Sequence, residues 1–346
     1  MKNPSLFGKT LAEIEEIVAS LGAPAFTARQ IAEWMYKKHI TQFDAMTNLP
    51  KSLRHQLAQG YSIELSTAVK VQTSVDGTKK YLYPSTGHTF IETAYIPEGK
   101  RATLCVSSQV GCKMGCLFCM TGKQGFQGQL STGEIIHQIR SLPERETLSN
   151  IVFMGMGEPF DNLENVMKSC EILTADWGYG WSPKRITVST IGIIPAMKTF
   201  IENSSCHLAV SMHTPFHAER KKIMPIENVY PIQAVVDLLR RYDLGKQRRL
   251  SFEYIMFKDF NDSNRHIQGI SRLLHGMRCR INLIRFHPIP NSPLASASEE
   301  RIQQFREGLV SKGFRTTIRA SRGEDILAAC GLLSTKELVK TQAPDF

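Results

Sequence analysis

Three cysteines stand close together with a spacing that suits an iron–sulfur cluster. Cys112, Cys116 and Cys119 form a C-x3-C-x2-C pattern in a glycine-containing loop. Structural zinc usually has four ligands in paired C-x2-C units, and a ferredoxin-type cluster normally takes four cysteines in other spacings. Three thiolates on a four-iron cluster would leave one iron open to a substrate or cofactor. Three buried cysteines without metal are the alternative.

A second candidate group, residues 155–159, ends an apolar run at 151–154. Glycine lets the backbone approach a ligand closely, and the Glu158 carboxylate could accept a hydrogen bond from an ammonium group. The same residues would also suit a plain strand-to-helix turn with Glu158 near the helix start. Both interpretations are open on the residues alone.

Four further side chains have ordinary interpretations when each is considered by itself. Cys330 stands among small apolar residues, which is typical of a buried, inert thiol. Glu92 resembles a solvent-facing residue on a strand, and Ser189 a turn residue. His213 suits a hydrogen-bonded histidine of the interior.

Short β-rich segments alternate with helical patterns from about residue 101 onward. The predicted strands are 102–107, 150–155, 185–190, 207–211, 250–256, 281–286 and 315–319. The predicted helices between them include 132–140, 161–173, 231–241 and 299–311. This alternation favours βα units and a parallel sheet, either open or curled into a barrel. Chemistry gathers at the C-terminal ends of such strands, where the candidate residues fall.

The first hundred residues have a different pattern. Residues 10–60 show apolar residues at helical spacing, and residues 61–97 alternate like strands, notably at 81–83 and 90–96. The helical part carries the basic residues Arg29, Lys37, Lys38, Lys51 and Arg54. They predict either a basic face or an ordinary solvated surface.

The charge of the chain favours a polyanionic partner. The 346 residues carry a net charge of +10, so nucleic acid is the leading candidate and an unspecialised basic surface the alternative. Residues 215–249 contain four acidic residues and eight basic ones: Arg220, Lys221, Lys222, Arg240, Arg241, Lys246, Arg248 and Arg249. Phosphate contacts of this kind give affinity without reading sequence.

No apolar run reaches the roughly 18 residues of a membrane span, and the first ten residues lack the apolar centre of a signal peptide. We therefore expect a cytoplasmic protein without membrane contact. In that compartment the eight cysteines favour metal or redox chemistry over a disulfide framework.

Five stretches resemble the RlmN/Cfr family of radical-SAM RNA methyltransferases and keep that family's order. They are RATLCVSSQVGC at 101–112, GMGEP at 155–159, VST at 188–190, SMH at 211–213 and RGEDILAACG at 322–331. The resemblance implies an α/β fold: a partial (β/α)6 TIM-like radical-SAM barrel with a small N-terminal helical domain. The implied parts are a helical RNA-binding accessory domain at 1–60, a β-rich linker at 61–97, the radical-SAM core at 98–335 and a C-terminal tail at 336–346.

The resemblance also implies roles for individual residues. Cys112, Cys116 and Cys119 would hold a 4Fe–4S cluster. Contacts to S-adenosylmethionine would come from Gly157, Glu158, Ser189, Ser211, Met212, His213 and His287. Cys330 would carry a methyl group, Cys105 would be the second catalytic cysteine, and Glu92 the proton acceptor.

The implied reaction is closest to that of the members that methylate adenosine C2 in 23S rRNA and in certain tRNAs. Adenine C2 is electron-poor, so direct attack on a methylsulfonium is not available to it. One S-adenosylmethionine would methylate Cys330, and a second would give a 5′-deoxyadenosyl radical that activates this methyl for addition to C2. Glu92 would then remove a proton, and Cys105 would release the product by forming a transient disulfide with Cys330.

The implied partners are 23S rRNA, tRNA and an electron donor such as flavodoxin or ferredoxin, and we expect a monomer. Two positions depart from the family pattern: Met120 replaces a small residue, and His287 stands where asparagine is common. Two alternatives stay open. One is methylation of the same adenosine at C8, and the other is a non-catalytic RNA-binding protein with structural zinc.

Overall fold

The computed structural model describes residues 3–244 and 248–335, and it begins with three helices. They are α1 (Leu11–Ser20), α2 (Phe26–Tyr36) and α3 (Lys51–Gly60). Thr10 starts α1 with a capping box, in which its hydroxyl accepts from the Glu13 amide and the Glu13 carboxylate accepts from the Thr10 amide at 2.8 Å. All three helices lie inside the segment that the sequence predicts as helical.

Four antiparallel neighbours lead from these helices into the rest of the molecule. They are β1 (Lys70–Thr73), β2 (Lys79–Ser85), β3 (Thr89–Glu98) and β4 (Arg101–Cys105). β2 and β3 contain the strand segments predicted at 81–83 and 90–96. The β-rich segment therefore extends the main sheet of the molecule.

Seven parallel strands, from β4 onward, complete this sheet. The remaining elements are β5 (Gln109–Val110), α4 (Met120–Gln124), β6 (Gly128–Gln129), α5 (Thr132–Arg140), β7 (Asn150–Phe153), α6 (Leu163–Thr174), β8 (Ile186–Thr190), α7 (Ile194–Asn203), β9 (His207–Ser211), α8 (His217–Ile223), α9 (Ile232–Leu239), β10 (Leu250–Met256), α10 (Asn264–Leu273), β11 (Arg280–Arg285), α11 (Glu299–Ser311) and β12 (Arg315–Ile318). The sheet order is β1-β2-β3-β4-β7-β8-β9-β10-β11-β12, and β5 and β6 form a separate pair.

This topology is the predicted partial barrel. Six of the parallel strands are each followed by helix before the next strand, and β12 is the seventh. The sheet stays open, because β1 and β12 are its two edges and do not pair in the described part of the chain. The predicted strands at 207–211 and 250–256 are β9 and β10, residue for residue. β10 is buried at all seven positions, as expected of a central parallel strand.

The N-terminal helices share one apolar core with the outer layer of the barrel. The Tyr36 ring of α2 lies 6.0 Å from Trp177, and Phe7 lies 5.5 Å from Tyr36 and 6.3 Å from His137 of α5. The Arg140 guanidinium stacks 4.6 Å from the Phe7 ring. Within the described residues, no helix has the length and apolar character needed to cross a membrane.

Two basic residues of the 215–249 segment are buried, so the prediction that they contact phosphate is wrong. Arg220 is fully buried and Arg248 is nearly so. The Arg248 guanidinium donates to the carbonyl oxygens of Ile201 and Ser204. Lys246 lies outside the described residues. The remaining members are exposed: Lys221, Lys222, Arg240, Arg241 and Arg249.

Candidate active site

The loop of residues 111–119, here called the cluster loop, carries the three spaced cysteines. Gly111 has a φ of +71°, and a Cβ there would lie 1.7 Å from the Gly125 carbonyl oxygen. Only glycine fits here, where the cluster loop crosses the backbone of Gly125 in close contact. The Leu117 amide donates to the Ile223 carbonyl at 3.0 Å, and the Phe118 ring packs edge-on against His213 at 4.7 Å. These contacts hold the loop over the C-terminal ends of the strands.

The three thiols form a donor set that fits an iron–sulfur cluster. Cys116 is buried, whereas Cys112 and Cys119 are partly exposed. Burial, followed by the proximity of the other thiols, raises the pKa of Cys112 to about 12 and that of Cys116 well above its ordinary value. Such thiols become thiolates when a cationic centre offsets their burial. Among the described residues, no three His, Cys, Asp or Glu side chains converge closely enough to hold a single metal ion.

Glu158 connects the end of β7 to the end of β8. Its carboxylate accepts from the Thr190 hydroxyl at 2.6 Å and from the Ile191 amide at 3.0 Å. Burial nevertheless raises the pKa of Glu158 to about 7. The preceding Gly157 has a φ of +94°, and a Cβ there would lie 2.4 Å from the Gln109 side chain. Gly157 therefore packs directly against Gln109, and the buried carboxylate beside it is an acceptor that fits a ligand with an ammonium group.

Ser189 and Ser211 lie on the inner face of the barrel. Each follows a fully buried valine, Val188 or Val210, and successive side chains of a strand point to opposite faces. Both serines are partly exposed. They can therefore reach a ligand in the barrel interior.

Met212 and His213 follow directly after β9. Met212 is fully buried. The φ of His213 is +58°, a strained value for a non-glycine residue. His213 Nδ1 accepts from the Ile255 amide at 3.0 Å, and burial lowers the pKa of His213 to about 3. The imidazole is therefore neutral, with its proton on Nε2.

Arg220 fixes the ends of β8 and β9, a role that the sequence analysis missed. Its guanidinium donates to the carbonyl oxygens of Ile191, Ser211 and Met212 at 2.8 to 3.1 Å. It also pairs with the fully buried carboxylate of Glu227. The stretch of adjacent basic residues suggested a surface position, and no local pattern marks this arginine as buried.

Both predicted catalytic cysteines line one cavity of about 380 Å³, here called the cysteine cavity. Cys105, Cys119 and Cys330 all border it. Cys330 is exposed at this cavity, and the surrounding protein raises the pKa of its thiol by partial desolvation. Burial, then the neighbouring Cys330, raises the pKa of Cys105 to about 12. The fold therefore places two thiols from distant parts of the chain beside one cysteine of the cluster loop.

His287 also borders the cysteine cavity. It is largely buried, and its Nδ1 lies 3.3 Å from a carboxylate oxygen of the exposed Glu324. An imidazole offers a donor and an acceptor at this wall, as an asparagine amide would, but in a different geometry.

Arg319 is a second side chain that the sequence analysis missed. It borders the cysteine cavity one residue beyond β12, and it interacts electrostatically with Cys105 and Cys330. Its Nε lies 3.4 Å from a carboxylate oxygen of Glu253, and this carboxylate raises the pKa of Arg319. Only its position at the C-terminal end of a predicted strand could have suggested it.

Glu92 is buried, so the interpretation of a solvent-facing residue is wrong. One carboxylate oxygen lies 2.9 Å from Lys80 Nζ, and the other accepts from the Ser334 amide at 2.9 Å. Burial raises the pKa of Glu92, although Lys80 acts in the opposite direction. Glu92 does not border the cysteine cavity. Through the Ser334 amide, it instead contacts the segment that carries Cys330.

That segment, residues 323–335, is here called the Cys330 segment, and it is fixed at both ends. Near its start, the Gly323 amide donates to Asp76 at 3.0 Å and Asp325 accepts from the Ser74 hydroxyl at 2.5 Å. Near its end, the Thr121 hydroxyl donates to the Leu333 carbonyl at 2.7 Å. The β1–β2 turn and α4 thus hold the two ends of the segment. Directly beside Cys330, the Gly331 carbonyl also accepts from the Met120 amide at 2.8 Å.

Comparisons with known proteins agree with this arrangement. The model of the ribosomal RNA large subunit methyltransferase N-terminal domain matches residues 4–63, and that of the radical SAM superfamily matches residues 106–268. A probable dual-specificity RNA methyltransferase RlmN from Phocaeicola vulgatus is 55% identical over 97% of this chain and 96% of its own length. A dual-specificity RNA methyltransferase RlmN from Syntrophus aciditrophicus is 42% identical over 95% and 96%.

A solved structure shares the whole architecture. The crystal structure of a radical SAM methyltransferase from Sphaerobacter thermophilus superposes with a TM-score of 0.88 at 41% identity, covering 95% of this chain and 99% of that one. The agreement extends over both the N-terminal helices and the barrel. The chain therefore belongs to the RlmN/Cfr family of radical-SAM RNA methyltransferases.

Proposed function

We propose that this protein methylates C2 of a specific adenosine in 23S rRNA and of an adenosine in tRNA, through a methylated Cys330 and a transient disulfide with Cys105. The observation that carries the proposal is that Cys105, Cys119 and Cys330 border one cavity. The names of the full-length relatives, dual-specificity RNA methyltransferases, support the two RNA substrates.

The proposal assigns the cluster and cofactor contacts to residues at the C-terminal ends of the strands. Cys112, Cys116 and Cys119 would hold a 4Fe–4S cluster, and S-adenosylmethionine would contact Gly157, Glu158, Ser189, Ser211, Met212, His213 and His287. When bound, these groups supply a methyl group and a radical, with two S-adenosylmethionine molecules used per turnover. The Glu158 carboxylate would accept from the ammonium group, and the neutral His213 can donate from Nε2.

The remaining chemistry belongs to this chain's own side chains. Cys330 carries the one-carbon unit to C2 as a radical, and Glu92 removes the proton from C2. The unpaired electron of the adduct would return to the iron–sulfur cluster. The Cys105 thiolate then attacks the Cys330 sulfur. A sulfur–sulfur bond forms, and the electron pair of the broken sulfur–carbon bond stays with the new methyl carbon, which takes a proton. To act as a base, the Glu92 carboxylate must give up its contact with Lys80 or with the Ser334 amide and contact the substrate proton instead.

Three further parts of the proposal concern the setting of the reaction. The protein acts as a monomer in the cytoplasm, where ribosomal and transfer RNA are available. A flavodoxin or ferredoxin supplies the electrons. The domain boundaries at residues 60, 97 and 335 also stay predictions, and the tail at 336–346 lies outside the described residues.

The test is nucleoside mass spectrometry of 23S rRNA and tRNA after anaerobic reaction with the reconstituted protein. We expect 2-methyladenosine from the protein and none from Cys330→Ala. Cys105→Ala should accumulate a covalent RNA adduct. Cys170→Ala is the matched control, because it removes a buried thiol outside the cysteine cavity and should keep activity.

Three outcomes would contradict the proposal in different ways. Formation of 8-methyladenosine without 2-methyladenosine would assign the C8 reaction instead. Product from Cys330→Ala would rule out the methylcysteine route. Anaerobically purified protein that is colourless and contains zinc without iron would exclude the radical mechanism.

A further inference from the structure

A strongly basic, solvent-open cavity lies at the opposite end of the barrel from the cysteine cavity. It has a volume of about 670 Å³, and its lining within the described residues contains no aspartate or glutamate. Six basic residues of its lining, here called the basic ring, are Lys184, Arg249, Arg278, Arg280, Lys312 and Arg315. No residue of the ring belongs to the candidate active site.

The order of the strands explains why these residues meet. Arg249 directly precedes β10, and Arg280 and Arg315 begin β11 and β12. Arg280 lies beside Ser251 on one side and Arg315 on the other in the sheet register. Parallel strands start at one end of a sheet, with about 4.8 Å between neighbours. The starts of β8 to β12 therefore form an arc of roughly 19 Å.

The charges of the basic ring are not neutralised by the protein. None of its six members forms a salt bridge with a carboxylate of residues 3–244 or 248–335. The pKa of nearby His207 responds to these positive charges. Burial and then four neighbouring cations, Arg249 first among them, lower the pKa of His207 to about 4.

The layout of the ring fits an extended polyanion better than one small anion. A small-anion site needs a few donors that converge on one point, whereas these cations are spread along the arc. Arg278, Lys312 and Arg315 are also exposed, which suits contacts with several phosphates. Phe314 is the one phenylalanine, tyrosine or tryptophan among the described lining residues, so the cavity offers few large rings on which bases could stack.

We propose that the basic ring binds the phosphate backbone of the RNA substrate at a distance from the methylated adenosine. The proposal rests on the proposed function for the identity of the polyanion. The seven residues of β10 separate the two ends of the barrel by about 23 Å. A nucleoside cannot span that distance, whereas a folded RNA can pass around the barrel.

The test compares Arg278→Glu/Arg315→Glu with a matched control, Lys198→Glu/Arg306→Glu, whose residues lie on the outer helices α7 and α11. Binding of the full-length protein to a 23S rRNA fragment is measured by fluorescence anisotropy at several salt concentrations. We expect the ring variant to bind at least about tenfold more weakly, and the slope of log K against log salt to shrink by about 1.4 for two lost phosphate contacts. Its KM for RNA should rise at unchanged kcat.

The control variant should match the unmodified protein in affinity and slope. Arg278→Lys/Arg315→Lys keeps both charges and should restore binding, which separates a charge effect from misfolding. Equal affinity and slope in the glutamate variant would overturn the inference, even if the protein methylates C2. Conversely, loss of binding at the ring without any methylated product would leave the ring in place and contradict the proposed function.

Discussion

Arg319 interacts with both thiols of the cysteine cavity and also with the Glu253 carboxylate of β10. Its positive charge lowers the pKa of Cys330, against the larger effect of burial. The thiolate is the nucleophile in methyl transfer and in disulfide formation. The arginine is thus placed to favour the reactive form of a thiol that its surroundings would otherwise keep protonated.

Replacing this arginine should slow the chemistry of Cys330. In Arg319→Met the pKa of Cys330 rises, so we expect its alkylation by iodoacetamide to slow by about tenfold at pH 8. Arg319→Lys should retain part of the rate. The measurement is peptide mass spectrometry over a pH series. Arg265→Met, which removes an exposed arginine paired with Glu219 outside the cavity, should leave the rate unchanged.

Glu158 makes the stability of the protein depend on pH. Its pKa is about 7 in the folded protein against an ordinary value of 4.5, so the folded state binds the proton more tightly. This contribution is fully present below pH 4.5 and is lost as the pH rises through 7. Its upper limit is about 3 kcal/mol. Urea unfolding at pH 5 and pH 8 should show a smaller difference for Glu158→Gln than for the unmodified protein, and an unchanged one for the exposed Glu164→Gln.

At the scale of elements, the crossing of the cluster loop over Gly125 controls whether the three cysteines can face one centre. Gly111→Ala carries the cost of a left-handed residue, about 1–2 kcal/mol, and an overlap with the Gly125 carbonyl. We expect its iron content after reconstitution to fall to less than half. Gly99→Ala has the same backbone cost, with no atom within 4 Å of the new Cβ. It should bind iron normally, and equal iron loss in both variants would refute the role of the crossing.

The central elements could be predicted from the sequence because their pattern is local. The apolar run of β10 and the helical period of α5 are visible in a short window. β1 could not be found in this way, because it is a mostly exposed edge strand. The position of Arg319 and the burial of Glu92 escaped prediction for a related reason. Their surroundings come from strands and from a C-terminal segment far away in the sequence, and no spacing within the chain encodes that proximity.

At the scale of the whole molecule, the N-terminal helices and the barrel should unfold together. Phe7 is almost fully buried between Tyr36 and α5, so Phe7→Ala should lower the free energy of unfolding by about 3–5 kcal/mol. Phe26→Ala in the same helical unit removes a ring that is 67% exposed and should change it by less than about 0.5 kcal/mol. Circular dichroism and tryptophan fluorescence should give one coincident transition for each protein, whereas two separate transitions would show independent units.

The attachments of the Cys330 segment give Cys330, the proposed methyl carrier, the properties of a tethered reactant. The thirteen residues of the segment contain no helix or strand, and hydrogen bonds join it to the β1–β2 turn and to α4. These attachments hold the sulfur near Cys105 and so set its effective concentration there. A change at Asp76 or Thr121 would alter that concentration without touching a reacting atom. The turnover rate could then change through substitutions at these attachments, while the reacting groups stay the same.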